Sequence, residues 1–137
     1  MKIPFRNIKF FTQIIILSII FNLSLGGCSK YSNEVEANLT KLKKTKACSG
    51  CDLSGVELIS FDLKNADISG ANLKGANLSK SDLTGANLTD TNLSDADLMG
   101  VNLTGATLTN TNLTGVKLSY ANISEVEMSN VMLVRAK

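Results

Sequence analysis

The sequence predicts an all-β solenoid preceded by one short α-helix, and three observations predict it. From Cys51 to Arg135 a five-residue pattern runs without a break through 17 units. Five fits neither the 3.6-residue period of a helix nor the two-residue period of a flat strand, so neither can extend over this length. The units also carry turn chemistry, with Asp or Asn just before the central apolar residue in twelve of them and often Gly at the last place.

Residues 1–27 come first and predict a signal peptide. Lys2, Arg6 and Lys9 form a positive start, and Phe10 to Leu25 is mostly apolar around Ile14-Ile15-Ile16-Leu17. The run Leu25-Gly26-Gly27-Cys28 resembles the lipobox of bacterial lipoproteins. That resemblance implies cleavage before Cys28 and acylation of its thiol and new amino group. A plain signal peptide cut nearby, or an uncleaved anchor, is the other reading. Thr12, Gln13, Ser18, Asn22 and Ser24 interrupt the apolar stretch, which is short for a span needing roughly 20 apolar residues.

Residues 28–47 predict a tether and a capping helix over 33–46. Asn33 is the expected N-cap, with Glu36 three residues on. Val35, Leu39 and Leu42 form one apolar stripe that must pack on something, because a helix this short is marginal alone. Lys41, Lys43, Lys44 and Lys46 crowd the last turns. They read either as a basic patch for anionic lipid or nucleic acid, or as a solvated helix end that suits the dipole.

The repeat domain is set at 48–137. Its central ladder is Leu53, Leu58, Leu63, Ile68, Leu73, Leu78, Leu83, Leu88, Leu93, Leu98, Leu103, Leu108, Leu113, Leu118, Ile123, Met128 and Leu133. Two places before each stands something small or β-branched, with Phe61 the large exception. In extended backbone those two side chains point the same way and the intervening Asp or Asn points outward. Because five is odd, a straight strand would lose phase at the next unit. A turn in every unit restores it, and the chain winds with one side always inward. Gly supplies positive φ at the turn, and the Asp or Asn side chain can bond the turning backbone. Coils so formed stack at about 4.8 Å.

Ala71-Asn72-Leu73-Lys74-Gly75, Ala86-Asn87-Leu88-Thr89-Asp90 and Ala96-Asp97-Leu98-Met99-Gly100 resemble the pentapeptide-repeat family, A-(D/N)-L-x-x, over 51–135. The resemblance implies a right-handed quadrilateral β-helix with four units per coil, hence about four coils here. By sequence alone a 20-residue period is only hinted at, by Thr91 and Thr111 in the inner small position. The run around Cys48-Ser49-Gly50-Cys51 resembles a junction that opens the first repeat in cyanobacterial members, which implies a cyanobacterial source.

Four readings of Cys48 and Cys51 compete: a disulfide stapling the cap junction, a redox-active pair, part of a metal site, or two free thiols. Export favours the disulfide. A metal would need two further ligands, and the chain has no histidine to supply them. At the other end Met132 replaces the usual Asp or Asn, and only Ala136 and Lys137 follow Arg135. Met128, Val131, Met132, Leu133 and Val134 therefore form an expected docking end. Similar proteins often dimerise through their last coils, so the resemblance implies a C-terminal homodimer.

No catalytic constellation is expected. Histidine, the commonest general base, is absent, and Asp62, Asp67, Asp82 and Asp97 sit on repeat positions as turn formers. The function read from the sequence is an exported, lipid-anchored, non-catalytic binding or structural module, with no cofactor, no metal and no nucleic-acid partner. It would face the periplasm from a membrane, or lie soluble in the periplasm or thylakoid lumen. Its partner would be a protein. Ile59, Met99 and Tyr120 share a face if units stack at 20, and form a weak contact patch. The alternative is a DNA-mimicking, topoisomerase-binding member in the cytoplasm. Residues 51–135 carry five Lys/Arg against ten Asp/Glu, only modestly acidic for that role.

Overall fold

A short helix, α1, leads into the repeats. The computed structural model describes residues 30–137; the signal segment 1–27 and Cys28 lie outside the described residues. Helix α1 spans Asn33–Thr45 and buries Val35, Leu39 and Leu42. Its N-cap is Ser32, not Asn33. An N-cap needs extended backbone; Ser32 has it, with φ −60° and ψ 155°, and Asn33 is already helical. The Val35 N–H donates to Ser32 Oγ at 3.3 Å. The helix stops at Thr45, one residue earlier than expected. Lys46 turns left-handed at φ 53°, and its N–H donates to the Leu42 carbonyl at 2.8 Å.

Beyond α1 the chain winds in coils of 20 residues. Parallel bridges join Asp52 to Asn72, Asn72 to Asn92, Asn92 to Asn112 and Asn112 to Met132, and the other three faces repeat this register. Four units therefore make each coil. Ala71 to Gly75 shows how a five-residue unit is bonded between its neighbouring coils. The Ala71 N–H closes the preceding turn on Ile68 O at 3.2 Å. Asn72 N–H donates down to Cys51 O at 2.9 Å, while Leu73 and Gly75 donate up to Asn92 O and Ser94 O at 2.8 Å each. The fifth amide, on Lys74, goes to Asn72 Oδ1 at 3.3 Å. Every N–H of the unit has a partner, as a backbone shielded from water requires.

That last bond explains the sequence. Asp or Asn precedes the central residue in twelve units, and in all twelve its Oδ1 accepts the N–H two residues on. The turn also needs positive φ at the last residue of the unit. Gly115 has φ 71°, and a Cβ there would lie 2.5 Å from Asp95 Oδ1. Elsewhere the same conformation is imposed on Ser60, Lys80, Tyr120, Glu125 and Arg135.

The core is one column of packed side chains. Leu53 through Leu113 are buried at every central position, with Cys51 and Ala, Val, Ser or Thr buried beside them and Phe61 partly so. Inner hydroxyls are tolerated because a carbonyl is in reach. Ser81 Oγ donates to Leu78 O at 2.6 Å, Thr91 Oγ1 to Ile68 O at 2.9 Å and Thr111 Oγ1 to Leu88 O at 2.7 Å.

The ladder does not stay buried to its end. Leu113 is 1% exposed and Leu133 51%. Leu118 is half-buried, and Ile123 and Met128 are exposed. These four keep the ladder register, but among the described residues no further coil covers them, so the expectation that they are core-ladder residues is corrected to exposed or half-buried ladder positions. The repeat itself is longer than the sequence pattern suggests. Lys46 to Gly50 already forms a unit, with Cys48 in the central place and Ala47 bridged to Asp67. Ala136 and Lys137 continue the winding, for Leu118 N–H donates to Lys137 O at 2.6 Å.

Candidate functional site

The two ends of the Tyr31–Lys137 unit differ, and its chemistry lies there. At the first coil α1 lays Val35, Leu39 and Leu42 onto the core. Polar and cationic contacts fix its position. Asn38 Nδ2 donates to Asp52 O at 3.0 Å, Tyr31 Oη accepts the Glu57 N–H at 3.0 Å, and Lys46 Nζ donates to Asp62 Oδ2 at 2.9 Å. Lys43 Nζ lies 5.8 Å from the Phe61 ring centroid, so Phe61 packs at the cap's edge.

Cys48 and Cys51 form a disulfide. Every corner of the solenoid brings a central residue and the small residue three places on to the inner side, and these two cysteines occupy such a pair. Both are buried, and Cys48 Sγ touches the Asn38 carbonyl oxygen of α1 at 3.5 Å. A disulfide sulfur carries no hydrogen, so this contact is packing. Covalent closure of the first corner under the helix makes the junction stiff where the helix changes into the solenoid. Among the described residues no group of His, Cys, Asp and Glu is arranged to hold a metal ion.

The side faces are largely self-satisfied. On one of them a chain of donors runs in a single direction over three coils. Ser124 Oγ donates to Asn122 Oδ1 at 2.7 Å, Asn122 Nδ2 to Thr104 Oγ1 at 3.0 Å, Thr104 Oγ1 to Asn102 Oδ1 at 2.7 Å, and Asn102 Nδ2 to Thr84 Oγ1 at 2.9 Å. Thr84 Oγ1 then donates to Asp82 Oδ1, and Lys64 pairs with Asp82 Oδ2 at 3.3 Å. The Thr84 hydroxyl, more than Lys64, holds the Asp82 carboxyl below the usual range. The Lys46 ammonium does the same for Asp62, and the Ser69 hydroxyl for Asp67. All three carboxylates are therefore held ionised by the turn and ladder bonds, whereas a general acid needs a raised pKa.

Ile59 and Met99 share one outward column two coils apart, and Tyr120 follows Ser119, the next residue of that column. All three are exposed, Tyr120 at 93%. At the far end Met128, Met132, Leu133 and Val134 are exposed and Val131 is half-buried. Among the described residues no coil covers them or Ile123. The sequence signal for this end was Met132 in the Asp/Asn place. The signal it lacked was depth: identical Leu residues are core or surface according to whether another coil follows.

A solenoid of four short sides, closed by a helix at one end, defines the class of protein. The family model described as pentapeptide repeats matches in eight copies, over residues 48–85, 66–105 and 96–133. The chain belongs to the pentapeptide-repeat family, whose known structures are right-handed quadrilateral β-helices. It is similar to a pentapeptide repeat protein from the thylakoid lumen of Arabidopsis thaliana, at 31% identity over 82% of this chain and 72% of that one, with a TM-score of 0.65. A pentapeptide repeat protein from Nostoc is 27% identical over 74% of this chain and 94% of its own, with a TM-score of 0.52. No curated protein sequence matches the chain.

Proposed function

We propose that the chain is an exported, non-catalytic binding module, lipid-anchored through Cys28, that presents its open C-terminal coil to a protein partner, in the first instance a second copy of itself. The observation that carries the reading is the asymmetry of the two ends. One is closed by α1 and a disulfide; the other exposes the ladder residues Ile123, Met128 and Leu133 beside Met132 and Val134. End coils of solenoids need a cover, and a second such coil is a surface of matching chemistry. Export is supported by the Cys48–Cys51 disulfide, which persists in oxidising compartments, and by the lumenal location of the Arabidopsis relative. A non-catalytic role is supported by the Asp and Asn side chains, which are spent on the turns.

Two measurements test it. Mass spectrometry of the N-terminal peptide from membranes should find Cys28 acylated, and Cys28→Ala should move the protein into the aqueous phase of a detergent partition. Sedimentation velocity of the full chain at micromolar concentration should show a dimer that Leu133→Glu dissociates. A cytosolic chain with a free Cys28 thiol would favour the topoisomerase-binding alternative, and a monomer at every concentration would remove the homodimer.

A further inference from the structure

We infer that the outer face of α1 rests on an anionic phospholipid surface, so that the solenoid stands on its cap with the open coil directed away from the membrane. The inference rests on the acylation of Cys28 proposed above. Tyr31 is fixed in the fold, since it packs against the core and its Oη accepts the Glu57 N–H. Cys28 precedes it by three residues. A chain of that length reaches at most about 11 Å. An acyl group on Cys28 therefore holds the start of α1 within about that distance of the headgroups, whatever path residues 29 and 30 take.

Charge then selects the face. Val35, Leu39 and Leu42 point into the coil. Ala37, Lys41 and Lys44 repeat the same spacing on the opposite side and are exposed. Lys43 lies to the side against Phe61, and Lys46 is engaged by Asp62. The acidic residues of the helix, Glu34 and Glu36, belong to its first turn. The last turns thus offer an outward cationic surface, Lys41 and Lys44, which among the described residues make no ion pair with the coils. Each lysine near an anionic bilayer strengthens association roughly fivefold. A single chain-reach restraint leaves the tilt free; the lysines fix it. Tyr120, three 20-residue steps beyond Ser60 of the first coil, is carried away from the bilayer.

The test uses the full acylated chain on phosphatidylcholine vesicles with and without phosphatidylglycerol, with a headgroup-attached quencher. One fluorophore is placed through Thr40→Cys on the outer side of α1, another through Tyr120→Cys. The expected result is strong quenching at Thr40→Cys and its loss at Tyr120→Cys. Quenching at Thr40→Cys should fall when phosphatidylglycerol is omitted, and in the Lys41→Gln/Lys44→Gln background. Equal quenching of the two labels would mean that the solenoid lies on its side. Quenching at Thr40→Cys that ignores both lipid charge and the lysines would mean that the tether alone places the cap. Either result overturns the inference while leaving the acyl anchor intact; an unmodified Cys28 mass overturns the anchor and the inference together.

Discussion

Tyr120 occupies the turn position that Gly115 holds one unit earlier, at φ 63° against 71°. A residue with a Cβ is disfavoured in that region by roughly 1–2 kcal/mol, and glycine's extra freedom in the unfolded chain offsets part of the gain. Because its side chain is almost wholly in water, Tyr120→Gly should raise stability by about 0.5–1 kcal/mol, read as a higher denaturation midpoint at unchanged slope. Gly115→Ala should lower it, since the same φ is combined with a close approach to Asp95 Oδ1. The acidic turn residues give a pH dependence. The Asp62, Asp67 and Asp82 carboxyls are held below their ordinary range, so the unfolded chain takes up their protons first as pH falls. Their contribution is present above an unfolded value of about 3.9 and is lost as pH drops through the folded values. The denaturation midpoint should therefore fall below about pH 4, and Asp82→Asn should flatten that fall.

At the scale of the element, α1 and the first corner act together. The disulfide closes a very short loop, Cys48 to Cys51, so its restriction of the unfolded chain is modest, about 2 kcal/mol. The other corners hold with backbone bonds alone, and Cys51 N–H also makes the ordinary turn bond to Cys48 O at 3.2 Å. Cys48→Ala/Cys51→Ala should accordingly leave the solenoid folded. Amide exchange should rise in α1 and in the Lys46 to Gly55 corner, and not in Leu88 to Leu103. Exchange accelerated uniformly along the chain would contradict this local role.

For the whole molecule, stability depends on position along the stack. Each buried ladder Leu contributes roughly 1.5–3 kcal/mol before chain entropy is subtracted, and only coils with neighbours on both sides bury it fully. Leu93→Asp places an unpaired charge at a site with no exposure and should abolish cooperative folding, seen as loss of the thermal transition. Ile123→Asp, an equivalent ladder position in the uncovered coil, should cost under about 1 kcal/mol in the monomer. Similar losses at the two positions would mean that the last coil is covered.

Much of this was legible from the residue pattern. The five-residue period, the central Leu ladder and the role of Asp or Asn in the turn follow from local chemistry, because each turn closes on bonds between residues two and three apart and the inward side chains recur in every unit. Ser32 as the N-cap was missed because Ser and Asn both cap helices well, and the extended backbone at Ser32 with the Val35 N–H bond to its Oγ distinguishes them only in the structure. The unit at Lys46 to Gly50 was missed because Lys46 and Cys48 replace the usual small residue and Leu. Tertiary structure alone decided the 20-residue coil, the bond between Cys48 and Cys51, and which ladder residues are buried. Those depend on contacts between coils, and a Leu inside the stack and a Leu at its open end have the same neighbours in sequence.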